Sequence, residues 1–197
     1  MNAISTEYAA LPQWEFTTPE GLNLRGRLAR QAHKPLLHFV HGNGFNGGVY
    51  WTLLRLLTPD YGLITHDVQG HGDSDDGNAF PGWHTTVSRI QPALAAQTSP
   101  QEAVVGIAHS FGASVTTLTA QRNPTLFKAL VLLDPVFFPR QWLPVMKLLS
   151  LKIFGKPVAS MPFFARFSTM YRQAMNRTTR WESREAAHRY LYQRGIF

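Results

Sequence analysis

Residues 104–114 read VVGIAHSFGAS, and this stretch places one hydroxyl, that of Ser110, between an apolar run and a helix-like run. Small residues, Ala108 and Gly112, stand two positions away on either side. A serine on a tight strand-to-helix turn needs small neighbours at those positions because the backbones pack closely there. Its Oγ then projects above the C-terminal edge of the sheet, beside the start of the next helix. The backbone N–H of Phe111 and the helix dipole can stabilise negative charge developing on a carbonyl oxygen at that point. The pattern is G-x-S-x-G with Ala in place of the first glycine, and the chemistry it suggests is nucleophilic attack. The ordinary alternative is a helix N-cap serine, whose hydroxyl would be occupied by the first helical N–H groups.

Two further motifs precede it. The strand-like LLHFV is followed by His41-Gly42-Asn43-Gly44-Phe45, a glycine-rich loop able to turn another N–H towards the serine. The strand-like GLITH is followed by Asp67-Val68-Gln69-Gly70-His71-Gly72-Asp73-Ser74. In this order the three motifs resemble those of the α/β-hydrolase family: an H-G-x loop after the third strand, a D-x-x-G-x-G-x-S loop after the fourth and a nucleophile elbow after the fifth. The resemblance covers about residues 14–139. It implies Ser110 as nucleophile and the backbone N–H groups of Asn43 and Phe111 as the oxyanion hole, with Gly44 a less favoured substitute for Asn43. Asp67, His71 and Ser74 match residues that shape their loop. Serine rather than aspartate at the elbow points away from the dehalogenase and epoxide-hydrolase branches and towards esters or related acyl groups.

A serine hydroxyl attacks efficiently only when a histidine takes its proton and an acid orients that histidine. The family order is serine, acid, histidine. After residue 139 there is no further β-like run and no histidine except His188, in EAAHRYL, which reads as a helix surface. Asp134 matches an alternative acid position, although it also reads simply as the end of a strand before Pro135. His109 adjoins the serine, but successive residues on a sharp turn point apart, so it reads as a pocket-lining or packing residue. The sequence is therefore expected to stop inside or just after a cap, before a complete triad. His66, Asp67, His71 and Asp73 match no zinc-ligand spacing, so neither metal nor cofactor is expected.

The elements that must position these residues alternate along residues 1–139. Strand-like WEFTT and LNLRGRL pair through Pro19-Glu20-Gly21, and LLHFVH, GLITHD, EAVVGIAH and KALVLLDP follow, separated by helix-like YWTLLRLL, PGWHTTVSRIQPALAAQ and SFGASVTTLTAQRN. Pro92 is expected to kink or break the second of these helices. Such alternation predicts an α/β fold: a mostly parallel sheet of strands 1–6 with flanking helices. From residue 140 to 197 the pattern turns Phe-, Leu- and Arg-rich and reads as an all-helical cap or lid segment.

Charge divides at the same place. The chain has a net charge of +7, yet residues 1–139 carry 8 Lys/Arg against 10 Asp/Glu while residues 140–197 carry 11 against 2. A basicity confined to one segment argues against a nucleic-acid partner for the core. It suits a solvated helical surface, with peripheral contact of the cap with acidic lipid as the other use. The absence of cysteine excludes disulfides and thiolate chemistry. There is no secretory signal pattern at the N-terminus and no apolar stretch of membrane-spanning length, so a cytoplasmic enzyme is expected. The expected function is ester hydrolysis through an acyl-enzyme on a small-molecule substrate with an apolar group. The alternatives are a non-catalytic binding protein of the same fold or an inactive fragment.

Overall fold

The computed structural model describes residues 3–77 and 81–137, with short runs beyond them at 144, 152–153, 156–157, 182–183, 185–186 and 189–190. The chain divides into two units, Met1–Phe137 and Phe138–Phe197. In the first, helix α1 (Ala3–Ala9) precedes strands β1 (Gln13–Thr17), β2 (Asn23–Ala29) and β3 (Leu36–Val40). A 3-10 turn (Gly47–Tyr50) runs into α2 (Trp51–Leu54), followed by β4 (Gly62–His66), α3 (Trp83–Ala95), β5 (Val104–His109), α4 (Phe111–Arg122) and β6 (Ala129–Leu133).

The six strands form one sheet in the order β1-β2-β4-β3-β5-β6. β1 and β2 make an antiparallel hairpin, with Phe16 opposite Leu24. Its turn closes through Gly21, held at φ +83, a conformation that favours glycine. β2 also runs antiparallel to β4, and the β4–β3, β3–β5 and β5–β6 pairs are parallel. The mostly parallel sheet inferred from the alternating elements is the one observed.

Every residue of β3 and β4 is buried. Consecutive side chains point to opposite faces, so these strands feed two cores. Leu36, Ile64 and Val104 pack with Ala93 and Leu94 of α3 on one face. Leu37, Phe39, Leu63 and Ile107 pack with Trp51 and Leu54 of α2 on the other. A third cluster joins Val40 and Ala108, at the C-terminal ends of β3 and β5, to Ala113 and Val115 of α4 and Ile90 of α3. This last cluster anchors the edge at which the three sequence motifs emerge.

Three local features differ from the sequence expectation. Helix α1 carries no strong sequence signal; its place comes from Tyr8, whose hydroxyl lies 2.8 Å from Thr65 Oγ1 and whose ring meets Trp51. The helix read from YWTLLRLL begins as a 3-10 turn, capped by the Asn46 side chain, and its α-helical part is four residues long. Helix α3 continues through Pro92 without ending there. Proline removes only the bond to the carbonyl of Ser88, an exposed residue, three residues before the helix ends.

In the second unit, Lys152–Ile153 pairs antiparallel with Lys156–Pro157. This small pair departs from an all-helical segment, since two-residue strands leave no periodic pattern to read. Among the described residues, no helix is long and apolar enough to cross a membrane.

Candidate active site

Ser110 alone makes the turn between β5 and α4. Its backbone sits at φ 51, ψ −115, a region costing a non-glycine residue on the order of 1–3 kcal/mol. Local bonds hold it there. Its N–H donates to the Leu133 carbonyl at 2.9 Å, and its carbonyl accepts from the N–H groups of Ala113 and Ser114 at 3.0 and 3.2 Å. The hydroxyl makes no capping bond, so the side chain is not spent on the helix terminus. Both flanking small residues are packed tight: Ala108 is fully buried, and a Cβ at position 112 would lie 2.3 Å from the Val40 carbonyl oxygen and 2.5 Å from that of His41. The start of α4 is thus pressed against the end of β3, where the glycine-rich loop leaves the sheet.

That loop is fixed by four partners. The Gly42 N–H donates to the Tyr50 hydroxyl at 3.2 Å, and that hydroxyl lies 2.8 Å from His109 Nδ1. The hydroxyl thus accepts the Gly42 N–H and shares a second hydrogen bond with the His109 ring. The Gly42 carbonyl lies 2.8 Å from His41 Nδ1 and accepts the Phe45 N–H at 3.1 Å. The Gly44 N–H donates to His71 Nε2 at 3.0 Å. Asn43 is exposed, and among the described residues its N–H has no partner. Of the four N–H groups from Gly42 to Phe45, this one is uncommitted.

The loop after β4 acts as a brace. Asp67 accepts the Gly47 N–H at 2.9 Å and the Asp73 N–H at 3.1 Å through separate oxygens. Burial pushes its carboxyl pKa up from the usual range, and the two backbone N–H groups oppose that shift. Ser74 accepts the Arg25 N–H and donates to the Asp67 carbonyl. His71 reaches back to Gly44, with its Nδ1 3.1 Å from the Gln69 carbonyl. His66 points elsewhere, into the core against Trp14 and His38. Among the described residues no group of three His, Asp or Glu side chains converges as a metal site.

Aromatic side chains flank the elbow. The rings of Phe111 and Trp83 lie 4.9 Å apart, and Trp83 and Phe45 are 43% and 38% exposed. Phe111, named for its backbone N–H, opens α4 directly after Ser110. Asp134 follows Leu133, the residue that pairs with His109 and receives the Ser110 N–H, so it lies at the same sheet edge. It is exposed, with φ 44. Among the described residues no histidine bonds to Asp134 or to the Ser110 hydroxyl, and His188 lies outside those residues. Tyr50 and the ring of His41 are the loop organisers the sequence reading missed. Nothing in local spacing marks a tyrosine eight residues past a glycine as its partner.

Known proteins resemble this chain in sequence and in fold. The family described as serine aminopeptidase, S33, matches residues 31–195. A serine hydrolase-like protein of Danio rerio is 30% identical over 139 residues, covering 68% of this chain and 41% of its own length. The monoglyceride lipase of Homo sapiens is 30% identical over 107 residues, covering 52% of this chain and 35% of its own. The chain thus spans less than half the length of either relative. Among solved structures, a bacterial membrane phospholipase A superposes with a TM-score of 0.60 at 24% identity, over 70% of this chain and 44% of that one, a likeness of fold.

Proposed function

The chain belongs to the serine aminopeptidase S33 family of α/β-hydrolases, and from that premise we propose that it is built for carboxylic-ester hydrolysis through an acyl-enzyme on Ser110. One observation carries the reading: a serine held at φ 51, ψ −115 whose hydroxyl caps nothing. A backbone strained at that position, with close packing on both sides, is difficult to account for by packing alone. It suits a side chain that must stand clear of its own helix.

In this reading the Ser110 oxygen attacks the ester carbonyl and forms a C–O bond as its proton leaves to a base. The carbonyl oxygen takes up negative charge and is met by the N–H groups of Asn43 and Phe111. Gly44 is the poorer candidate because its N–H already serves His71. Collapse of the tetrahedral species expels the alcohol, which takes a proton, and water then releases the acid from Ser110. The base is a histidine, and neither His109 nor His188 is assigned that role. Trp83 and Phe45, both partly exposed beside the loops, favour an apolar acyl or alcohol group. The monoglyceride lipase name of one relative agrees with that substrate class.

The test is labelling with a fluorophosphonate probe, followed by rates on a p-nitrophenyl ester series of increasing acyl length. Labelling confined to Ser110 and lost in Ser110→Ala is the expected result. Equal labelling of parent and variant would remove the nucleophile assignment. Saturable binding of an apolar ester analogue without any labelling would instead favour a binding protein on the same fold.

A further inference from the structure

We propose that His41 is a positioning residue: its Nδ1–H, held 2.8 Å from the Gly42 carbonyl, fixes the direction in which the Asn43 N–H points. The inference rests on the Ser110 reading for its catalytic meaning, but its geometry stands apart from it. A trans peptide unit is planar, so its C=O and N–H point in opposite directions. Whatever holds the Gly42 oxygen therefore aims the Asn43 N–H.

The loop needs such a lock because of its glycine. A Cβ at position 42 would lie 2.7 Å from His109 Nδ1 and 3.0 Å from the Tyr50 hydroxyl, so a larger residue would push aside the side chains packed on the loop. Glycine is also the residue whose flanking peptides rotate most freely. The preceding peptide is held by Tyr50 through the Gly42 N–H. The following one, which carries the Asn43 N–H, is held only through its oxygen. One donor to that oxygen is the Phe45 N–H, a turn bond available whatever residue stands at 41. The other is the imidazole.

The ring's own setting fixes its tautomer. His41 Nε2 accepts the Val68 N–H at 3.1 Å, so the ring proton must be on Nδ1, facing the Gly42 oxygen. The ring is fully buried and lies against His71, ring centroids 5.0 Å apart. Burial pushes its pKa down to about 4, which keeps it neutral and Nε2 an acceptor near neutral pH. One imidazole thus joins the loop after β3 to the loop after β4 and spends both nitrogens on backbone groups.

Two substitutions separate the nitrogens. His41→Asn places an amide N–H close to where Nδ1–H stands, whereas His41→Gln reaches the Nε2 position and leaves the Gly42 oxygen without its second donor. Imidazole ¹⁵N spectra of the parent read the tautomer. Residual dipolar coupling of the Asn43 N–H reads the peptide orientation in all three proteins, and the rate of Ser110 phosphonylation reads the consequence. We expect a proton on Nδ1, a changed Asn43 coupling in His41→Gln, and phosphonylation slowed about 100-fold there, the size of losing one oxyanion donor. His41→Asn should recover both coupling and most of the rate. A parent ring protonated on Nε2, or an unchanged coupling in a folded His41→Gln, overturns the proposal. If His41→Gln does not fold, the parent tautomer and His41→Asn still decide it. If the parent does not label at all, the nucleophile reading fails, while the couplings still test His41.

Discussion

Replacing Gly112 by alanine tests whether contact between the elbow and the β3 edge sets the geometry of Ser110. The added methyl would stand 2.3 Å from the Val40 carbonyl oxygen, 2.5 Å from that of His41 and 2.7 Å from the Val40 carbonyl carbon. All three are backbone atoms in or beside a fully buried strand, so relief requires α4 to move away from β3. Overpacking of this kind costs about 3 kcal/mol, at the upper end of the usual range because no flexible side chain can yield. Alanine returns about 1 kcal/mol of helix propensity in α4. The net expectation is a loss of about 2 kcal/mol, or roughly 4–8 °C in melting temperature for a chain of this size. Gly106→Ala is the control. Its methyl would meet Leu130 Cδ2 at 2.7 Å and Thr116 Cγ2 at 3.0 Å, side-chain rather than backbone atoms, so a loss of about 1 kcal/mol, the lower end of the range, is expected. Urea unfolding at neutral pH measures both, and phosphonylation of Ser110 should slow in Gly112→Ala only. Equal stability of the two variants would refute the argument, because it would mean that α4 is free to shift.

Acid should weaken this fold. His38 and His41 are buried, and burial alone or foremost pushes their pKa values from 6.5 down to about 3 and about 4. The unfolded chain binds these protons first, so stability is full above 6.5 and falls as pH drops towards those values, by about 2 kcal/mol per ring near pH 5; a flat urea midpoint between pH 7 and 5 would contradict it. Tyr50→Phe removes the hydroxyl that takes the Gly42 N–H and reaches His109, and should cost about 1 kcal/mol and slow Ser110 phosphonylation; an unchanged rate would show that Asn43 needs no help from that side. Asp67→Asn puts an amide donor against one of two backbone N–H groups and should lower stability by about 2 kcal/mol, read as a shift in urea midpoint at constant slope.

The sheet was legible because its signals are local. Apolar runs such as LLHFV and GLITH are bounded by glycine-rich loops, and a strand with both faces buried needs nothing beyond its own residues to declare itself. The elbow was legible for the same reason: Ala108, Ser110 and Gly112 are two apart, and the demand for small residues falls on immediate neighbours. Pro92 misled because its effect depends on what becomes of the Ser88 carbonyl, and α1 was missed because Tyr8 finds its partner at Thr65, 57 residues away.

Composition and spacing by themselves determined the α/β class and the order of the three loops, and they singled out Ser110 as the hydroxyl on a strand-to-helix turn, its proposed role coming from the family resemblance. Tertiary structure decided which N–H of the loop after β3 is left uncommitted. Asn43 and Gly44 are neighbours with equal claim in the sequence. They part because His71, 27 residues on from Gly44, takes one N–H, while Val68 sets the His41 tautomer from the same distance in sequence. A hydrogen bond has one donor proton to give, and who receives it depends on which strands lie side by side.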